Sequence, residues 1–275
     1  MRSIAAWLLG VACVTASSTS AQAELKLGEI QASHGPLGPQ RETLDVFPHD
    51  ELFFRFMISG AKVSDQGEAS PSVTIKVLEK DGSELFSDTT PVTGVLALGG
   101  NELPGTAAVE LGDQLPPGTY TLEVIVKDTL SGEEANFRRE FQFKKAQFAI
   151  VSPRFAYDAE YKVAAPAGGI TSQTLFFRLK AIGFDRSQDR IDAEMQVQVL
   201  DGNDQPMMPQ PIKATLVNED PNVVKQAPFL TFSGQMVLNR AGDFKLRISV
   251  LDKVSGQETQ FETPLRVTAH GPNQE

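Results

Sequence analysis

Cysteine, tryptophan and histidine are nearly missing from this chain. Its 275 residues include one cysteine, Cys13, one tryptophan, Trp7, and three histidines, His34, His49 and His270. Cys13 and Trp7 both fall in residues 1–23, which read as an export signal. Arg2 supplies the positive start, Ile4 to Val14 the apolar stretch, and Ala21-Gln22-Ala23 the small-x-small pattern before a cut. The apolar run is shorter than the about 20 residues that span a bilayer, so no membrane anchor is expected in the mature chain. Gly10-Val11-Ala12 is also a poor lipoprotein signal for Cys13. Cleavage after Ala23 removes the only thiol, which excludes disulfides, thiol catalysis and zinc sites of the cysteine type. Asn-x-Ser/Thr sequons are absent too. Together these absences predict an exported bacterial protein, periplasmic or extracellular.

Positive charge is also in short supply. Lys and Arg number 25 against 35 Asp and Glu, a net charge of −10 that becomes −11 once Arg2 is removed. Such a chain repels nucleic acid and anionic lipid, and no nucleic-acid partner is expected. The basic runs Arg138-Arg139 and Lys144-Lys145 are two residues long and read as solvated strand faces.

Catalytic material is equally thin. His270 lies in the tail, while His34 and His49 sit in Gly/Pro-flanked turns and read as surface loop residues. No Gly-x-Ser-x-Gly elbow occurs. Asp185, Asp189 and Asp192 alternate with Arg186 and Arg190, the pattern of a neutralised loop rather than a calcium cage. Asn218-Glu219-Asp220 and Asp201-Gly202-Asn203-Asp204 read as turns. No catalytic residue, metal ligand or cofactor is assigned.

What is present is a repeat. Gly118-Thr119-Tyr120-Thr121-Leu122-Glu123-Val124-Ile125-Val126-Lys127-Asp128 returns 124 residues later as Gly242-Asp243-Phe244-Lys245-Leu246-Arg247-Ile248-Ser249-Val250-Leu251-Asp252. Leu52-Phe53-Phe54-Arg55-Phe56 returns as Leu175-Phe176-Phe177-Arg178-Leu179, offset by 123. Two echoes in one order at nearly one offset imply a tandem duplication. Apolar residues alternate with polar ones at period two, as in Tyr120, Leu122, Val124 and Val126, which is the mark of half-buried strands. No segment of the mature chain carries a helical stripe.

The fold expected is all-β: two tandem, mutually similar antiparallel β-sandwiches, residues 24–145 and 146–269, followed by a disordered tail at 270–275. Strands are predicted near 25–30, 42–47, 51–59, 72–79, 105–111, 118–127 and 135–144. Those of the second copy fall near 148–152, 160–164, 174–182, 192–200, 230–238, 242–251 and 258–267. Asp81-Gly82 and Asp201-Gly202 supply hairpin turns.

Leu115-Pro116-Pro117-Gly118-Thr119-Tyr120-Thr121-Leu122 resembles the approach to strand F in immunoglobulin-like and fibronectin-III-like domains. The resemblance implies a tyrosine corner at Tyr120 and an inward Leu122. Phe244, at the matching place in the second copy, lacks the hydroxyl that corner needs. A sandwich of this kind implies no particular activity.

Two repeated features remain. Asp128-x-x-Ser131-Gly132 and Asp252-x-x-Ser255-Gly256 read as hairpin turns closed by an Asp side chain and a Gly of positive φ. Phe53, Leu78, Ile125, Phe176, Leu200 and Leu251 are apolar on the outward parity and are the candidate partner-binding surface. Leu78 is expected beside Ile125, and Leu200 beside Leu251. The function this predicts is a non-enzymatic binding, adhesion or scaffold module for a protein or an envelope glycan. The alternative is a periplasmic chaperone, since pilus chaperones also pair two immunoglobulin-like domains and capture a strand by β-augmentation. No Arg/Lys pair stands out as its anchor. A hydrolase using loop carboxylates is the third reading.

Overall fold

The computed structural model describes residues 24–271, so the export-signal reading of residues 1–23 lies outside the described residues. The chain is all-β, with a single short helix among the described residues. Its first strands are β1 (Lys26–Leu27), β2 (Gln31–Ser33), β3 (Asp45–Val46), β4 (Glu51–Ser59), β5 (Glu68–Ala69) and β6 (Pro71–Leu78). There follow β7 (Glu84–Pro91), β8 (Gly94–Val95), β9 (Glu102–Glu110), β10 (Gly118–Asp128) and β11 (Glu134–Phe143). Then come β12 (Ala149–Ala156), β13 (Gly168–Ile170), β14 (Thr174–Ile182), β15 (Ile191–Leu200) and β16 (Ile212–Asn218). Helix α1 (Pro221–Gln226) precedes β17 (Leu230–Val237), β18 (Gly242–Asp252) and β19 (Glu258–Thr268).

Two of the sheets share one strand order. One five-stranded sheet runs β3-β11-β10-β6-β7 and another runs β13-β19-β18-β15-β16. In each the first strand joins parallel to the last hairpin strand, β3 on β11 and β13 on β19, while every other pairing is antiparallel. Opposite them lie smaller sheets centred on β4 and β14. β4 is flanked by β9 and by the β1/β2 edge, and β14 by β17 and β12.

The period-two pattern explains the packing. Inward Leu52, Phe54 and Ile58 of β4 meet Val73, Ile75 and Val77 of β6 and Leu122, Val124 and Val126 of β10 in one buried cluster. Leu175, Phe177 and Leu179 meet Met195, Val197, Leu246, Ile248 and Val250 in a second. Aromatic bulk is accommodated by glycine on the neighbouring strand. A Cβ on Gly105 would lie 2.3 Å from the Phe56 ring, and one on Gly234 would lie 2.3 Å from the ring of Phe177.

Several expected boundaries shift. β7 and β16 are absent from the predicted set, the strand expected at 160–164 is replaced by β13, and α1 is a helix where none was expected. β7 is exposed along its whole length and so carries no alternation. β16 does alternate Ile212, Ala214 and Leu216 against Lys213 and Thr215, a signal that was there to read. At the tail, the His270 N–H donates to Thr171 Oγ1 at 2.8 Å, whereas residues 272–275 lie outside the described residues.

Candidate functional site at the junction

The sequence-predicted surface separates into two groups. Phe53, Leu78 and Leu200 are 5, 9 and 0 % exposed, so they offer nothing to a partner. Two strand-end irregularities account for the leucines. Leu78 keeps the outward register opposite Thr121 where the β6–β7 pairing shifts, and Leu200 keeps it opposite Lys245 where Pro206 bridges back onto it, so both are outward residues covered at the strand end. Phe53 is in mid-sheet, flanked by Ser33 and Ala108. Ile125, Phe176 and Leu251 are half-buried. The expected pairs are not neighbours. Leu78 faces Thr121 while Ile125 faces Thr74, a separation of roughly 13 Å along the strands. Leu200 faces Lys245 and Leu251 faces Glu194, farther apart still.

The repeated hairpin is a tie between sheets. Asp128 Oδ2 accepts from Ser131 Oγ at 2.6 Å and from the Lys62 N–H at 2.8 Å, and Oδ1 accepts from the Leu130 N–H at 3.0 Å. Asp252 repeats this with Ser255 Oγ at 2.7 Å, the Asp185 N–H at 2.8 Å and the Val254 N–H at 3.0 Å. Lys62 and Asp185 follow β4 and β14, so each aspartate links the hairpin to the segment leaving the facing sheet. Burial alone would raise the Asp128 carboxyl. The hydrogen bonds from Ser131, Lys62 and Leu130 outweigh it and hold the group below its ordinary value. At the opposite end of the sheet, Tyr120 Oη donates to the Pro116 carbonyl at 2.7 Å, closing the corner that its resemblance implied.

The contact between the strands before Phe143 and those after Ala149 was not legible in sequence. His49 (φ 63°) and Ser152 (φ 48°) both adopt left-handed backbone, and Ser152 occupies a bulge in β12. The bulge aims the Ser152 N–H at Asp50 Oδ1, 3.0 Å away, while Arg41 holds Asp50 Oδ2 at 2.8 Å. Both side chains of that ion pair are almost fully buried. Arg41 also donates to the carbonyls of Asp45 and Glu51 at 2.9 Å each. Glu51 pairs with Arg154 across the same seam; burial pushes its carboxyl up and Arg154 draws it back.

Apolar contacts complete the joint. Ala149, Val151 and Ile182 form a small buried cluster with Phe47 and Phe229 against them. Lys180 Nζ lies 4.6 Å from the Phe229 ring centre, and His49 meets that ring edge-on. Gly183 (φ 68°) passes so close to the connecting segment that a Cβ would lie 2.3 Å from the Gln147 carbonyl. His34 rests edge-on against Phe261. Its burial, and the Arg41 charge after that, lower its pKa to about 4. His34 and His49 are therefore half-buried junction residues, against the expectation of surface loops.

A cleft of about 470 Å³ opens across this junction. Its walls include Pro48, Leu115, Pro117, Phe143, Ile182 and Pro228, with His49, Asp113, Lys144, Lys145, Arg186, Lys225 and Gln226 supplying the polar groups. Lys144 and Lys145 thus follow the end of β11 and face the cleft, where a solvated strand face was expected. The Arg186 guanidinium donates to the carbonyls of Val224 and Ala227 and stacks on Phe184 at 3.9 Å. It is satisfied by carbonyls, where the alternating acids had suggested Asp neighbours. Asp201 and Asp220 accept backbone N–H groups in their own turns, Asp220 as the N-cap of α1. Among the described residues no group of three or more His, Cys, Asp or Glu is placed to hold a metal ion. No helix among them is long and apolar enough to cross a membrane.

No known protein family matches the chain, and no curated protein does. Solved structures that resemble it include dimeric latent PorU from Porphyromonas gingivalis, at 10% identity over 94% of this chain and 21% of that one, TM-score 0.40. The C-terminal domain of the Streptococcus pyogenes antigen I/II-family protein AspA matches at 8% identity over 88% of this chain and 99% of that one, TM-score 0.30. Red sea bream transglutaminase matches at 9% identity over 90% and 32%, TM-score 0.28. The chain thus spans about a third of the transglutaminase and about a fifth of PorU. Likenesses this distant assign neither family nor activity.

Proposed function

We propose that the chain is an exported, non-enzymatic binding, adhesion or scaffold module, cut after Ala23 and built from two copies of one sandwich, residues 24–145 and 146–269. The repeated sequence and the shared order of the five-stranded sheets support the duplication. The observation that carries the binding reading is the cleft across the junction, which both copies line. Ile125, Phe176 and Leu251 are half-buried and stay within the proposal as flanking contacts. The partner is a protein or an envelope glycan. Immobilised residues 24–275 should retain one dominant component from a bacterial envelope extract. Recovery of nothing above an unrelated sandwich control would contradict the reading.

A chaperone is the second reading, and one observation favours it. β7 and β16 are the outer strands of their sheets, and every residue of β7 is exposed, with Leu85 and Phe86 at 46 and 44 %. An open strand edge accepts an extended segment through backbone hydrogen bonds. In that case the retained component would be an incompletely folded protein, released by proline substitution in β7.

A further inference from the structure

We propose that the junction cleft is a binding site for an acidic peptide segment carrying apolar side chains, an inference that rests on the binding reading above. The chain carries ten more acids than bases, yet Lys144, Lys145, Arg186 and Lys225 line this cleft against the single carboxylate of Asp113. Its local charge therefore opposes that of the molecule. Lys145 and Lys225 are exposed and have no ion-pair partner among the described residues. Lys144 holds only a surface contact with Asp45 at 3.3 Å, both groups more than 40 % exposed.

Arg186 sets the floor. Its guanidinium is partly buried, and its partners are the neutral carbonyls of Phe184, Val224 and Ala227. Those bonds satisfy its donors and fix its position without cancelling its charge, and an uncancelled charge in a partly desolvated wall attracts an anion strongly. The remaining accessible wall is apolar, half-buried Leu115 with exposed Pro117 and Pro228, and Phe143 and Ile182 lie buried beneath it. A bare inorganic anion would leave that surface wet. A peptide alternating carboxylates with apolar side chains satisfies both kinds of wall. A uniformly charged polyanion satisfies only one. Because Lys144 and Lys145 lie on the connection after β11 and Lys225 on α1, the occupant would touch both copies.

The test uses residues 24–275 and a fluorescein-labelled decapeptide alternating glutamate and leucine, read by anisotropy. A glutamine–leucine decapeptide and heparin serve as competitors. The site requires saturable binding that weakens with salt, is not competed by the glutamine peptide, and falls at least about tenfold in Lys145→Glu/Lys225→Glu. The same charge change at Lys26→Glu/Lys62→Glu, beyond the far end of β4, should leave binding within about twofold. Absence of binding at about 1 mM, equal loss in both double variants, or preferential binding of heparin would overturn the inference. An envelope component that is retained equally by wild type and Lys145→Glu/Lys225→Glu would sink the cleft assignment while leaving the binding reading intact.

Discussion

Asp50 Oδ1 accepts the backbone N–H of Ser152 at 3.0 Å across 102 residues of sequence, while Arg41 holds its other oxygen at 2.8 Å. One carboxylate thereby fixes the left-handed turn before β4 to the bulge in β12. Asp50→Asn places an amide where Arg41 needs an acceptor and leaves a buried guanidinium unpaired. It should cost about 3–5 kcal/mol, read as a lower urea midpoint, with proteolysis appearing first in residues 144–148. A variant as stable as wild type would remove Asp50 from the joint.

His34 makes the junction sensitive to acid. Its pKa is about 4 in the fold against an ordinary 6.5, chiefly because it is buried and secondarily because Arg41 is near. The unfolded chain binds the proton more readily between those values. Stability from this group is complete above pH 6.5 and is lost as the pH falls toward about 4, by at most about 1.4 kcal/mol per pH unit. Urea midpoints measured across that window should flatten in His34→Gln. An unchanged slope in the variant would mean that His34 is not the group responsible.

The two corner positions give an internal comparison. Tyr120→Phe deletes the bond to the Pro116 carbonyl and should cost about 1 kcal/mol, converting the first copy to the chemistry Phe244 already has. Asp128→Ala and Asp252→Ala should each cost more, about 2 kcal/mol or above, because backbone N–H groups lose their acceptor. Asp128→Ala should also remove the share of the stability lost below pH 3.8 that comes from Asp128, since a carboxyl held below its ordinary value contributes above that pH and loses the contribution as pH falls through its folded value. Thermal scans rank the three variants.

Gly105 and Gly234 leave room for the facing rings of Phe56 and Phe177. Gly234→Ala drives a Cβ into the Phe177 ring and should destabilise by about 1–3 kcal/mol. Gly202→Ala, where a Cβ would meet nothing within 4 Å, should be neutral by the same denaturation assay.

How much of this could be read beforehand follows from where the information sits. The core of β4, β10, β14 and β18 is local alternation, and Leu122 and Leu246 fall inward, both fully buried, as their parity requires. The corner bond of Tyr120 comes from residues four apart. Outward parity held at Leu78 and Leu200 but did not bring exposure, because the chain covers both at irregular strand ends, which the sequence pattern does not show. The junction escaped altogether. Asp50, Ser152, Arg154 and Lys180 are far apart in sequence and meet only in the folded chain, and none of them belongs to a repeated motif. Lys144-Lys145 looked ordinary for the same reason, since Arg186 and Lys225 join it from far along the chain.

The proposed binding cleft exists only if the joint between the strands before Phe143 and those after Ala149 is rigid. Residues 24–275 contain no cysteine, so spin labels can be placed at exposed Lys62→Cys and Asn203→Cys, one in each copy. Pulsed electron–electron resonance should give a single narrow distance distribution, which broadens when Asp50→Ala is added while strand content by circular dichroism is retained. A broad distribution in the labelled chain that keeps Asp50 would contradict the fixed joint and, with it, the binding cleft.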